Sequence, residues 1–196
     1  MKPIPNSTKT ILASGSQTRF LMLKRAGVEF EQIKSTVDED AIKLEKPGLT
    51  ALELGLELAS AKALDVSAKY PEALVIGADQ VCEFNSEFLD KPGSKENCIL
   101  HLRKLSGQTH YQNCSCALAL NGKIIWSHSA QAELKMRVLT DDEILAYVEL
   151  ENPIHSCGSY MFEKNGHKLF ETVTGEEDVI LGLPLKELVK QLSKLI

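Results

Sequence analysis

Four stretches of this chain concentrate side chains able to handle a highly charged ligand: "SGSQTR" (14–19), "VDED" (37–40), a lysine at 62 within an apolar repeat, and "ALVIGAD", which ends at Asp79. In the first, the hydroxyls of Ser14 and Ser16 can donate, Gly15 permits a positive φ, and Arg19 offers a planar fork suited to phosphate. An apolar run (10–13) precedes it and a helical pattern follows. A strand–loop–helix junction presents unsatisfied N–H groups and can cradle an anion. The same residues could equally do no more than cap the helix through Ser16 or Thr18. The glycine spacing matches neither the P-loop nor the dinucleotide fingerprint.

Lys62 has Leu58, Ala59 and Val66 among its helical neighbours, so it borders a buried stripe, where a lysine can also snorkel to water. Asp79 closes a continuous apolar strand, the place where open α/β sheets deliver functional groups, although it could simply cap a turn. A carboxylate there needs a compensating partner. Lys91 follows a hairpin and could return a cation beside it. Glu39 cannot be ranked against Asp38 and Asp40 by spacing alone. Together, Arg19, Lys62 and Lys91 could neutralise a polyphosphate, while Asp79 and Glu39 could hold a hard divalent ion or activate water. The histidines lack any metal-binding spacing.

The elements that must position these residues are readable in outline. Residues 10–13 suggest a first strand, 19–26 a helix with Phe20, Leu23 and Ala26 inward and Gly27 as its stop, and 28–35 a second strand. The periodicity of Leu52, Leu56, Ala59, Ala63 and Val66 predicts a helix over 49–69. A strand over 73–79 leads to a hairpin near Asn85-Ser86. Ser94 caps a helix to 105, with Asn97 where a capping box would want Glu or Gln. Asn121-Gly122 joins "THYQNCSCALAL" to a strand in which Ile124, Trp126, His128, Ala130, Ala132, Leu134 and Met136 alternate. A helix starts after Thr140 with three acids in its first turn. A hairpin over "GSYMFE" and "KLFETV" and a terminal helix over 185–195 complete the pattern. β-α-β units mixed with hairpins imply an α/β fold, a mixed sheet covered by helices.

With 196 residues and no linker or repeat, one domain spanning 1–196 is expected. A net charge of −5 disfavours nucleic acid as a partner. No apolar stretch suits a membrane span, and "MKPIPNSTKT" lacks a secretory segment, so a cytoplasmic location is expected. The five cysteines include no CxxC pair and read as buried reduced thiols, Cys114 and Cys116 sharing one strand face.

The segments "ILASGSQTR", "VDE", "ASAKA", "GADQV", "LDKP", "LSGQTH", "CGSY" and "GLPL" occur in the order and at the separations of the Maf family of nucleoside triphosphate pyrophosphatases, which the chain resembles over nearly its whole length. The resemblance implies an elongated, two-lobed mixed β-sheet with flanking helices and a central nucleotide cleft, and a homodimer. It implies that Ser14, Ser16 and Arg19 bind phosphate and that Glu39, Lys62, Asp79 and Lys91 are catalytic, with Asp79 accepting the proton. Hydrolysis would yield a nucleoside monophosphate and pyrophosphate, aided by Mg²⁺ or Mn²⁺ at Glu39 and Asp79. The family's link to septum formation supplies a rival reading, a nucleotide-binding regulator. At three specificity positions the chain has Thr18, Gln80 and Glu163. Gln80 and Glu163 resemble the 7-methyl-GTP branch, whereas Thr18 departs from the aromatic residue usual there. The chain also resembles an alphaproteobacterial branch acting broadly on nucleoside triphosphates. A carboxylate at Glu163 could accept both N1–H and N2–H of guanine, whereas uracil and thymine offer one N3–H between two carbonyls.

Overall fold

The computed structural model describes residues 8–195; the first seven residues of "MKPIPNSTKT" lie outside them. Three long strands form the frame: β3 (Leu74–Phe84), β5 (Thr109–Leu120) and β6 (Lys123–Met136). β5 is antiparallel to both neighbours. Asn121 and Gly122 both take positive φ, 49° and 67°, matching the twist that a two-residue hairpin requires. The short strands β1 (Thr10–Leu12) and β2 (Glu31–Gln32) add in parallel beyond β3, and β7 (Phe170–Thr174) pairs antiparallel with β6. The result is a seven-stranded mixed sheet, β2-β1-β3-β5-β6-β7, with β4 (Glu87–Leu89) on β3. The mixed sheet with flanking helices is thus as expected.

Successive β3 side chains alternate between faces. Leu74, Ile76 and Ala78 join a core with Met22, Leu23 of α1 (Gln17–Arg25) and Leu188, Leu192 of the terminal helix, which spans Leu185–Leu195 as expected. Farther along the same face, Cys82 and Phe84 join a second core with α4 (Lys95–Leu105) and α5 (Asp141–Glu151). Two cores therefore sit at opposite ends of the long strands. The other face is covered by α3 (Ala51–Lys69), which packs on Val75 near one end and Val81 near the other. Between these two contacts lies Asp79.

α3 is well specified at its start. Thr50 accepts from the Glu53 N–H while Glu53 bonds back to Thr50, a capping box in which the threonine alone is worth about 1 kcal/mol. Its buried stripe differs from expectation: Ala51, Leu54, Gly55, Leu58, Ala59, Lys62, Ala63 and Val66 face inward, and Leu52 and Leu56 are only half-buried. The cause is a close approach. A Cβ built on Gly77 would overlap the Ala59 carbonyl oxygen and lie 2.8 Å from the Ala63 nitrogen. The helix rolls to set its small residues on this bare patch of strand, and that roll carries Lys62 inward.

Other expectations needed correction. The strand foreseen at 73–79 runs on to Phe84, because the β4 hairpin draws it forward, so Asp79 lies mid-strand rather than at a tip. The strand foreseen at 28–35 shrinks to Glu31–Gln32. Val28 N–H bonds back to the Leu23 carbonyl and Phe30 packs edge-on against Phe20, while Ser35 and Thr36 are captured by Asp65. In α1, Met22 is buried and Ala26 exposed, although Gly27 ends the helix at φ 73° as foreseen. A register shift opposite Leu118 and Ala119 turns Ile124 outward to 37% exposure. No hairpin forms over 158–173. Ser159 N–H donates to the Ser156 carbonyl in a 3₁₀ turn at Cys157–Ser159, and Lys164 and Gly166 N–H both donate to the Met161 carbonyl, leading into a second at Asn165–Leu169 before β7. The cysteines are free thiols, four of them buried. Among the described residues no helix is long and apolar enough to cross a membrane.

Candidate active site

The site arises from a mismatch in strand lengths. β1 pairs with β3 only over Leu74–Ile76, and β4 pairs with it only over Cys82–Phe84. Residues 77–81 therefore have β5 on one edge and no strand on the other. A cleft of 930 Å³ opens over this bare edge, within the range of small-molecule sites. It wraps around the edge, reaching Asp79 on the α3 face and Gln80 on the opposite face.

On the α3 face, Lys62 Nζ lies 2.6 Å from Asp79 Oδ1 and 2.8 Å from Glu39 Oε1. Lys62 is 9% exposed and Asp79 6%, so this is no snorkelling lysine: it compensates a buried carboxylate. Glu39 begins α2 (Glu39–Glu45), capped by Asp38, whose side chain accepts from the Asp40 and Ala41 N–H groups. Burial pushes the Glu39 carboxyl up, but Lys62, Lys91 and Lys43 outweigh it and hold the group below the usual carboxylate range. Asp38 is thus the cap, and Glu39 is the acid of "VDED" delivered to the lysine.

The loop leading to Glu39 is held by Asp65, one helical turn beyond Lys62. Asp65 accepts from Ser35 Oγ, from Thr36 N–H and from Lys69. Partial burial raises its carboxyl, but these donors, Lys69 first, bring it down to about 2. α3 therefore grips both the side chain of Glu39 and the backbone that carries it.

At the mouth of β1, Ser16 caps α1 by accepting from the Arg19 N–H at 3.3 Å. Ser14 Oγ accepts from the Ser16 N–H and from Arg19 Nη1, at 3.3 and 3.2 Å. The capping role of "SGSQTR" is real and coexists with an open face on the cleft. Arg19 fills the gap in the sheet: Nη1 donates to the Ala78 carbonyl at 3.0 Å and Nε to the Gly182 carbonyl at 2.6 Å. Gly15 is not in the positive-φ region, contrary to expectation. The stem of Lys34 lies over it, Cδ 3.3 Å from where a Cβ would stand.

The far end of the cleft holds the three residues picked for specificity. Thr18 Oγ1 donates to Glu163 Oε1 at 3.2 Å, joining segments 145 positions apart. Gln80 Nε2 donates to the Val179 and Ile180 carbonyls at 3.2 and 2.8 Å. Its amide donors are spent on backbone, leaving its carbonyl oxygen. Lys91 lines the same cleft from beyond β4. Every site residue foreseen from sequence is thus gathered in one cleft. Sequence reasoning missed Gln32, whose Nε2 donates to the Ser14 carbonyl at 2.7 Å, and Lys43, which bridges to Asp90 at 2.6 Å across the cleft's rim. It missed Lys34 and Asp65 as well. Only Gly182 carried a visible signal, inside "GLPL".

The donor set for a metal is two carboxylates on one ammonium. Among the described residues no group of three or more potential ligands forms. Two carboxylates suit an ion such as Mg²⁺, which is commonly held by one or two of them together with substrate phosphates.

The family model described as Maf-like protein matches residues 9–195. A protein of Legionella pneumophila named nucleoside triphosphate pyrophosphatase is 40% identical, with 94% of this chain and 92% of that protein covered. One of the same name from Ruegeria sp. is 39% identical over 95% and 96% of the two chains. A protein of Rhizobium etli named 7-methyl-GTP pyrophosphatase is 40% identical over the same shares.

Proposed function

Because the chain belongs to the Maf-like family, we propose that it is a nucleoside triphosphate pyrophosphatase, cleaving the α–β phosphoanhydride to a nucleoside monophosphate and pyrophosphate. One observation carries the reading: a buried acid, Asp79, is paired with Lys62, which also holds Glu39, in the cleft that contains Arg19 and the Ser14–Ser16 loop.

In this reading water attacks phosphorus, the bridging P–O bond breaks, and pyrophosphate leaves. Asp79 takes the water's proton; general-base help of this kind is worth about 10²–10⁴ in rate. Lys62 holds the carboxylate in place through Oδ1, leaving Oδ2 for the water. Arg19, its Nε and Nη1 committed to Gly182, Ser14 and Ala78, presents Nη2 to the phosphates. Lys91 neutralises charge on the leaving group. Glu39 and Asp79 would hold a divalent cation, Mg²⁺ or Mn²⁺, which when bound neutralises phosphate oxygens. A purely regulatory nucleotide-binding role is not favoured, because binding phosphate gains nothing from a buried acid among the cations.

The base end supports a guanine-type substrate. Glu163 and the free Gln80 carbonyl are acceptors, matching the N1–H and N2–H donors of guanine. The test is a panel of GTP, 7-methyl-GTP, UTP and dTTP with products identified by mass. Pyrophosphate release with the guanine nucleotides favoured is expected. Orthophosphate release would refute the bond assignment, and higher kcat/KM on UTP or dTTP would refute the base preference.

A further inference from the structure

Five cations line the cleft: Arg19, Lys34, Lys43, Lys62 and Lys91. Three are already engaged. Lys62 holds Asp79 and Glu39, Lys43 holds Asp90 and Asp40, and Arg19 is bonded to Ser14, Ala78 and Gly182. Lys34 is exposed and has no carboxylate partner among the described residues. Its position is nevertheless well determined. β2 runs parallel to β1 with Ile11 opposite Glu31 and Leu12 opposite Gln32, and Ile33 N–H extends the ladder to the Leu12 carbonyl. Continuing that register puts Lys34 level with Ser14. Gln32, from the same short strand, clasps the loop by donating to the Ser14 carbonyl.

The aliphatic stem of Lys34 lies on the loop itself. The three atoms nearest to a Cβ built at Gly15 are Cδ, Cγ and Cε of Lys34, at 3.3, 3.5 and 3.8 Å. A Cβ at Gly15 would press on this stem by a few tenths of an ångström, so the loop and the Lys34 side chain are in direct contact. An uncommitted ammonium on a stem seated on the phosphate loop has one chemically evident use.

We propose that Lys34 is a further substrate-binding residue, its ammonium gripping the phosphate tail above the Ser14–Ser16 loop. The proposal rests on the phosphate reading of the cleft, and its test does not require turnover. Affinity for inorganic pyrophosphate in magnesium-containing buffer is measured by calorimetry for the wild type, Lys34→Met, Lys34→Arg, Gly15→Ala and Gly15→Ala/Lys34→Met, with nucleotide kinetics alongside. Lys34→Met keeps the stem and should weaken pyrophosphate binding and raise KM about tenfold, the size of one charge-assisted hydrogen bond, with kcat within about twofold. Lys34→Arg should stay near wild type, and the deficit of Lys34→Met should shrink in high salt. Any loss of affinity in Gly15→Ala should come from displacing Lys34, and so vanish once Lys34 is Met. Wild-type pyrophosphate affinity in Lys34→Met, or an undiminished effect of Gly15→Ala in the Met background, would overturn the assignment. A wild-type chain that binds pyrophosphate yet hydrolyses no nucleotide would refute the proposed function alone, with the Lys34 variants still decisive.

Discussion

Replacing Lys62 by Met tests the centre of the site, because the structure sets the size of each effect. Lys62 and Asp79 are 9% and 6% exposed and 2.6 Å apart, so the loss of the ammonium strands a buried carboxylate. Breaking such a pair from one side costs about 3–5 kcal/mol. The second contact, to the partly solvated Glu39, adds at most about 1 kcal/mol. Met fills the space of the lysine stem, so packing is nearly conserved. Unfolding in urea should show a midpoint lower by roughly 1.5–2 M, and calorimetry a Tm lower by roughly 10–15 °C. Asp79→Asn should behave differently. Lys62 keeps Glu39 as a charge partner and the amide oxygen as an acceptor, so stability falls by only about 1 kcal/mol. Turnover to pyrophosphate should nonetheless drop about 10²–10⁴-fold with binding retained. Exchanging the whole pair, Lys62→Met with Asp79→Leu, should recover most of the stability lost by Lys62→Met while leaving no turnover. A Lys62→Met protein within about 1 kcal/mol of wild type, or a double variant no more stable than it, would refute the buried coupling. Wild-type-like turnover in Asp79→Asn would remove Asp79 as the base.

Gly77→Ala forces a Cβ onto the backbone of α3 at Ala59 and Ala63, which cannot move aside as a flexible side chain could. Destabilisation at or above the usual overpacking cost of about 1–3 kcal/mol is expected by urea unfolding, and a neutral result would show that α3 does not need this close approach. Asp65→Asn probes the loop that carries Glu39. The folded carboxyl lies at about 2, below its ordinary 3.8, so its contribution is complete above about pH 4 and is lost as pH falls through about 2. The stability gap between wild type and Asp65→Asn should therefore close over that interval; a gap independent of pH would refute the charge-based account.

Much of the scaffold is legible locally. The β5–β6 hairpin follows from alternation around Asn121-Gly122, and the helix starts at Ser94 and Thr140 follow from residues that satisfy free N–H groups. Such signals relate neighbours in the chain, so periodicity and turn chemistry suffice to read them. The polar clusters of "SGSQTR", "VDED" and "GAD" were visible in the same way, as residue types able to bind phosphate or hold a cation, and their membership of one family came from their order along the chain.

What brings them together depends on distances between segments that no local pattern records. The cleft exists because β1 stops at Leu12 while β3 runs on to Phe84, a difference in length between strands from separate parts of the chain. Lys62 is buried because α3 rolls onto the bare backbone at Gly77, overruling the apolar stripe that Leu52 and Leu56 suggested. The stem of Lys34 lies across Gly15, nineteen positions away in the chain. Chain neighbours determine which elements form and which side chains are on offer; packing between distant segments determines which of those side chains share a charge, a proton or a ligand.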